Sequence, residues 1–304
     1  MGKIRLHISH LAPVAAEALA LVQNDKYELT FQDKLAANEA ELAATLAGKN
    51  ALYLGGDDFY NENVLRQAKD LKLLSFGGTG YQLFIDAKAA AKLGIAITNT
   101  PGANSKSVAE MAVGLALDAL RKITFTNKTQ NVLASRELGA LKIGLIGFGN
   151  INKIIYKILK DGFGADVRFW NKTPVAGACS LDEILTQSDM IFIAITGNDE
   201  TKGFLGEDEI AKMKDGVILI NPAVHYLIDE EALYAALMSG KVATVAQDGA
   251  YESERFLKFG ADKFIATPHI ASRTTDAWKK TDIMAFQNIV DFFTTGTSKN
   301  IVKL

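Results

Sequence analysis

The sequence predicts an α/β protein with parallel sheets in two domains, on three observations. Short apolar runs alternate with helix-spaced stretches almost throughout, the pattern of strands joined by right-handed helical crossovers. The segment NTPGANSKS, residues 99–107, concentrates Pro, Gly, Asn and Ser in the manner of a hinge. Further on, KIGLIGFGNIN, residues 142–152, runs from an apolar strand directly into a helix through G-x-G.

In the first third the expected strands are Ile4–Ile8, Ala51–Leu54, Leu73–Phe76 and Ile95–Thr98, apolar runs short enough for buried parallel strands. Helices are expected between them at Ala15–Val22, Glu39–Leu46 and Asn63–Lys69. After the hinge, SVAEMAVGLALDALRKI is apolar on nearly every side, so it is either a core helix or one buried against a second subunit. Strands follow at Lys142–Ile146, Val167–Trp170, Met190–Ile195, Val217–Ile220, Val242–Ala246 and Phe264–Ala266. Helices are expected at Ile151–Leu159 and at Asp229–Met238, which has acids in its first turn. The hinge is crossed again near Pro268–Arg273, leaving Thr275–Phe293 as a helix that returns to the first domain. The expected domains are residues 1–99 plus 274–304, and residues 100–273.

Composition narrows the function classes. The 304 residues are 48% apolar and 22% charged, with a net charge of −2, so neither a nucleic-acid nor a membrane partner is expected. One cysteine, Cys179, excludes an internal disulfide and suits a reducing compartment. No apolar run approaches the roughly 18 residues of a membrane span, and Arg5 and His7 interrupt the start of the chain. The expected location is the cytoplasm.

Within the glycine loop, Gly147 and Gly149 supply the tight turn and the bare backbone that a pyrophosphate needs at a helix N-terminus, here Asn150–Ile151. Asn152 stands where a third glycine would allow close packing, and weakens that part of the pattern. The next strand ends near Asn171, where an acid would accept hydrogen bonds from an adenosine ribose. Asn171 and Lys172 supply none, and Lys172 suits a 2′-phosphate, which tilts the expected cofactor from NAD towards NADP. The other reading of Lys172 is a solvated surface lysine.

Five segments occur in order: GGTGYQLFIDAKAAAKLGIAITNTPGANSKSVAEMAVGLAL, GLIGFGNI, TKGFLGEDEIAKMKDGVILIN, IDEEALYAALMSGKVATVAQD and TPHIAS. Together they resemble the D-isomer-specific 2-hydroxyacid dehydrogenase family over roughly residues 70–275. The resemblance implies two Rossmann-like domains with the active site in the interdomain cleft, a homodimer commonly built on the helix after Ser107, and a small-molecule substrate. It implies that the GGTG loop, with Gly78, Thr79 and Gly80, binds the substrate carboxylate through backbone N–H groups. It also implies that His269 in TPHIAS is the general acid that protonates the carbonyl oxygen. On the cofactor side, Asp248 matches a family aspartate, and Thr196 ends the stretch Ala194–Ile195–Thr196 where H-x-P precedes the nicotinamide region. No metal is expected.

Several positions depart from the family pattern. Through the bend after Ile220 the pattern N-x-A-R-G reads Asn221, Pro222, Ala223, Val224, His225, so Val224 replaces the arginine that clamps carboxylate and carbonyl. The glutamate that pairs with the histidine falls at Ser253, flanked by Glu252 and Glu254, either of which is a replacement candidate. Gln82 replaces a customary acid, and the 121–138 linker lacks an expected tryptophan. Arg273 and His225 are the candidate substitute cations, with surface or hinge roles as the alternative. The expected function is therefore an NAD(P)-dependent oxidoreductase acting on a 2-oxo acid or other small carbonyl. The alternative is an inactive member that binds dinucleotide as a sensor or scaffold.

Overall fold

The computed structural model describes residues 2–10, 12–32, 34–249, 251 and 253–303. Glu252, one of the two candidate partners for His269, lies outside the described residues. The chain forms two compact units, Met1–Asn104 with Thr274–Leu304, and Ser105–Arg273. The divisions fall within the 99–107 segment and immediately after Arg273.

The first unit holds five parallel strands: β1 (Ile4–Ser9), β2 (Tyr27–Gln32), β3 (Ala51–Leu54), β4 (Leu73–Phe76) and β5 (Ala96–Thr98), in the order β2-β1-β3-β4-β5. Strands β3 and β4 are buried at every position because side chains that alternate across the pleat meet helices on both faces. Leu52, Leu54, Leu74 and Phe76 face a cluster completed by Leu42, Val64, Leu65 and Ala89. Ala51, Tyr53 and Leu73 face the opposite way, onto Ala18, Val22, Ala285, Phe286 and Ile289. Three of the helices start on side-chain caps: Asn38 accepts from Glu41 N–H, Asn61 from Val64 N–H and Asp86 from Ala89 N–H.

The Thr275–Thr295 helix ends at Gly296 in the left-handed conformation, and the tail beyond it docks on the edge of the sheet. Val302 N–H donates to Ile97 O at 2.8 Å, and Ile301 bridges Thr98 in antiparallel fashion. Buried Asn288 fixes this arrangement. Its Oδ1 accepts from Ser298 Oγ and Asn300 Nδ2, each at 2.9 Å, and its Nδ2 donates to Asn99 O at 3.0 Å.

The second unit holds six parallel strands: β6 (Lys142–Ile146), β7 (Asp166–Trp170), β8 (Met190–Ile193), β9 (Val217–Asn221), β10 (Val242–Asp248) and β11 (Phe264–Thr267), in the order β11-β10-β9-β8-β6-β7. On one face, helices Ser105–Arg121 and Asn150–Lys157 pack onto Leu145, Phe192, Ile220 and Ala246. On the other, Leu181–Gln187, Glu207–Lys212 and Glu230–Ser239 cover Ile146, Ile193, Leu219 and Val245. The Ser105–Arg121 helix buries Val108, Ala109, Ala112, Val113, Leu115, Ala116, Ala119 and Leu120, while Lys106, Glu110 and Gly114 stay exposed. Its apolar character is thus largely explained by this unit's own core.

Strand β2 has no counterpart among the expected strands. It is an edge strand, YELTFQ, in which only Tyr27 and Gln32 are buried, so it carries no apolar run to reveal it. Strand β8 stops at Ile193, two residues early, where the chain leaves the sheet beside the glycine loop. In both sheets the strand order reverses once, between β1 and β3 and between β6 and β8. Ligands of such sheets seat at the carboxyl ends of the strands flanking the reversal. No helix among the described residues is long and apolar enough to cross a membrane.

Asn288→Ala leaves the Ser298 and Asn300 donors without their shared acceptor. It is expected to cost about 1–3 kcal/mol, read as a lowered urea midpoint at unchanged slope.

Candidate active site

At the reversal of the second sheet, the turn after β6 closes on two glycines with different demands. Gly147 has φ +86°, and a Cβ there would lie 2.7 Å from Ile195 Cγ2 and 2.8 Å from Ala194 O, so both conformation and space require glycine. Gly149 precedes the Asn150–Lys157 helix without a side-chain cap, and a Cβ on it would meet nothing within 4 Å. Bare backbone thus faces open space at a helix N-terminus, a cradle that fits a pyrophosphate. Asn150 is exposed there, while Ile151 packs partly against the core.

Asn152, where a third glycine was expected, is fully buried, and its Nδ2 donates to Ile146 O at 3.0 Å and Gly147 O at 2.7 Å. Asn152 therefore fastens the turn. Sequence spacing gave no sign of this clamp, because it depends on where a carboxamide points.

At the end of β7, Asn171 Oδ1 accepts from Phe148 N–H at 2.9 Å and Nδ2 donates to Thr173 O at 2.8 Å. The residue expected near a ribose thus has its carboxamide engaged in tying β7 to the glycine loop. Lys172 is exposed, with Nζ 3.4 Å from Glu200 Oε2. Thr196 is also exposed, and its carbonyl accepts from Thr201 Oγ1 at 2.7 Å in the turn that follows β8.

The bend after β9 is shaped by buried Asn221, whose Nδ2 donates to Val224 O at 2.8 Å and whose Oδ1 accepts from Ala223 N–H at 3.1 Å. Val224 is half-buried beside Gly197: a Cβ on Gly197 would lie 2.5 Å from Val224 Cγ2 and 2.6 Å from Tyr226 Oη. Position 224 thus presents methyl groups and a neighbouring phenol to the loop after β8. Burial, with Asp199 adding to it, raises the Tyr226 phenol above its ordinary pKa, so it remains a donor. Tyr251, not singled out from sequence, staples the bend by donating to His225 O and Ile228 O, each at 3.1 Å. The His225 ring lies edge-on to Tyr226 and Tyr251.

Asp248, at the end of β10, is buried, and its carboxylate is committed to the next loop. Oδ1 accepts from Thr267 Oγ1 at 2.5 Å and Ile270 N–H at 2.8 Å, and Oδ2 from Ala271 N–H at 2.7 Å. These donors flank His269, which is exposed and held at φ +53°, a left-handed conformation uncommon outside glycine. Among the described residues the imidazole has no hydrogen-bond or ion-pair partner. Ser253 precedes the short helix Glu254–Lys258 without a side-chain capping bond, and Glu254 is exposed at its start. Arg273 is exposed, and its N–H donates to Ile270 O at 2.9 Å, closing the same loop.

In the first unit the GGTG loop follows β4. Gly78 O accepts from Thr100 N–H at 2.9 Å, and Thr79 O accepts from Asn99 Nδ2 at 3.2 Å. With the carbonyls held from behind, the N–H groups of Thr79 and Gly80 donate to no acceptor among the described residues. A Cβ on Gly80 would enter open space.

Comparison with known proteins follows the same lines. Residues 111–271 match the family model described as D-isomer specific 2-hydroxyacid dehydrogenase, NAD binding domain. A hydroxypyruvate reductase of Thermotoga maritima is 31% identical over 309 residues, covering 95% of this chain and 98% of that protein. A glyoxylate reductase from Paecilomyes thermophila superposes with a TM-score of 0.85 at 26% identity, over 99% of each chain. A 3-phosphoglycerate dehydrogenase of Entamoeba histolytica, solved with NAD+ bound, has a TM-score of 0.89 at 23% identity over 99% of each chain, and shows the shared fold.

Asp248→Ala removes the acceptor for two N–H groups, one of them buried, and a hydroxyl, and is expected to cost roughly 2–4 kcal/mol. Hydrogen exchange should accelerate at Ile270 and Ala271 well before the rest of the unit opens.

Proposed function

This chain belongs to the D-isomer-specific 2-hydroxyacid dehydrogenase family, and from that membership we propose a reductase of small 2-oxo acids whose grip on the acid is altered at Val224. It is a nicotinamide-dependent oxidoreductase, and the structure and the relatives support catalysis over a purely binding role. The observation that carries the catalytic reading is the Asp248 clamp on the His269 loop. A buried carboxylate and a left-handed histidine both cost free energy, and such strain persists where surrounding structure over-determines it, most often at active sites. A sensor or scaffold has no use for either.

In this reading the Ser105–Arg273 unit binds the dinucleotide, with the pyrophosphate on the bare backbone at Gly149 and the N–H groups of Asn150 and Ile151. Reduced nicotinamide, when bound, supplies the hydride that the carbonyl carbon receives. His269 donates its proton to the carbonyl oxygen, and the product is the 2-hydroxy acid. The Met1–Asn104 unit, with the C-terminal helix, supplies the GGTG amides that hold the carboxylate. Asp248 acts as a positioning residue, because all the hydrogen bonds it makes here go to the loop that carries His269. Valine at 224 forgoes a bidentate guanidinium clamp, the loss of which typically costs roughly 2–5 kcal/mol in a buried pair. The substrate is accordingly a 2-oxo acid or related carbonyl that tolerates a weaker hold, with an apolar wall at Val224 and a hydrogen-bond donor at Tyr226.

Preference for NADP over NAD belongs to the same proposal. The end of β7 offers no carboxylate to a ribose, and the exposed Lys172–Glu200 pair is worth only about 0–1 kcal/mol, so it yields readily to a 2′-phosphate. A cytoplasmic homodimer built on the exposed edge of the Ser105–Arg121 helix completes the reading.

The decisive measurement is consumption of NADPH and NADH against a panel of 2-oxo acids and simple ketones. Turnover abolished by His269→Ala, with nucleotide affinity intact, is expected. Tight nucleotide binding with no turnover on any of them would establish the scaffold reading instead. Lys172→Ala should weaken NADPH about 3- to 10-fold and leave NADH unchanged, by fluorescence titration. Light scattering should give about twice the chain mass of 32.8 kDa.

A further inference from the structure

The first unit's sheet has its own reversal, between β1 and β3, and two residues stand at that point. His10 follows β1, and Gly55 follows β3. A Cβ on Gly55 would lie 2.1 Å from His10 Cδ2 and 3.0 Å from His10 Nε2, so the imidazole fills the ground that a side chain at position 55 would take. The ring stacks on Tyr53 with centroids 5.8 Å apart and meets Trp278 edge-on at 6.4 Å. Nδ1 is spoken for, 2.7 Å from Ala12 O and 3.1 Å from Ala12 N. Nε2 has no hydrogen-bond partner among the described residues, although the side chain is only 6% exposed.

Beside Nε2 lies Asp282, 1% exposed and bonded to Tyr53, which packs in a cluster with Leu6, Ile8, Phe286 and Ile289. Its Oδ1 accepts from Tyr53 Oη, its Oδ2 accepts from Ala15 N–H at 2.9 Å, and Oδ1 lies 3.7 Å from His10 Nε2. Burial, reinforced by the Asp282 charge, pushes the Tyr53 phenol well above its ordinary pKa, so it serves as a fixed donor. A carboxylate in such surroundings is costly unless a positive partner offsets it. Hydrogen bonds from Tyr53 and Ala15 offset part of that cost, and His10 Nε2 stands 3.7 Å from Oδ1. The cluster also abuts the GGTG loop: Tyr53 Oη would lie 3.0 Å from a Cβ on Gly77.

We propose that His10, braced by Asp282 and Tyr53, is a substrate-binding residue whose Nε2–H donates to the carboxylate of the bound 2-oxo acid, beside the amides of Thr79 and Gly80. This rests on the reading of the GGTG loop as the carboxylate site. With Nδ1 accepting from Ala12 N–H, Nε2–H is the donor the ring has left, and it is at the end of β1 where ligands of such sheets seat. The family's arginine is replaced by Val224, and in this protein His10 restores part of the missing grip from a different strand end. Asp282 and Tyr53 are positioning residues that hold the ring.

The test uses the full chain and oxalate, an unreactive dicarboxylate mimic of a 2-oxo acid. The protein has four histidines, so each imidazole resonance can be assigned from single His→Gln variants and followed during titration. The His10 resonance is expected to shift saturably with oxalate. His10→Gln should weaken oxalate about 10- to 100-fold and raise KM for the best 2-oxo acid similarly, with kcat within about threefold and nucleotide affinity unchanged. Should that variant fold poorly, assigning the other three histidines identifies His10 by elimination, and the wild-type titration still decides. Oxalate binding with the His10 resonance unmoved would overturn the assignment and leave the GGTG reading in place. No oxalate binding to the wild type, with or without nucleotide, would overturn both.

Discussion

The Asp248 carboxylate is the fastener on which the loop carrying His269 depends. It ends β10, the penultimate strand of its sheet, and reaches across to the loop leaving the edge strand β11. An edge strand four residues long has pairing on one side only, and a loop at its end has little to hold it. By accepting from Thr267, Ile270 and Ala271, the carboxylate replaces that missing support and leaves His269 projecting between fixed points. The anion in turn is tolerated because three donors surround it in the sheet's buried end.

The same logic recurs in the first unit with a different outcome. Asp282 is a buried anion on a helix instead of a strand, and its donors come from Tyr53 on β3 and from the backbone at Ala15. There the donors are fewer, and an imidazole stands within reach of the charge. One carboxylate is saturated and acts purely as a brace. The other accepts from two donors and has the His10 ring beside it.

Around the nucleotide cradle the fasteners are neutral. Asn152, Asn171 and Asn221 each bridge backbone groups at the carboxyl end of a strand, at the glycine loop, the β7 end and the β9 bend. A carboxamide both donates and accepts, so Asn171 and Asn221 each satisfy a carbonyl and an N–H, while Asn152 donates to two carbonyls. It also carries no charge to repel the phosphates of a dinucleotide. The absence of an acid at Asn171 is then partly an architectural fact, since that side chain is engaged in holding Phe148 and Thr173.

Local pattern alone determined most of the scaffold. The apolar runs at Ala51–Leu54, Leu73–Phe76 and Met190–Ile195 marked strands covered on both faces, the last one two residues too long, and Gly147 and Gly149 marked the strand-to-helix turn by spacing. Val224 was legible as a departure because the motif around it is continuous in the chain. Strand β2 escaped because an edge strand need not be apolar, and alternation alone did not distinguish YELTFQ from a polar loop. Tertiary structure decided what fastens what. Tyr53 and Asp282 are 229 residues apart, and Ile270 and Asp248 are 22 apart. Periodicity reports which face of an element is buried, because burial repeats along it. A hydrogen bond between distant side chains depends on single orientations that have no repeat, and only the folded chain brings such partners together.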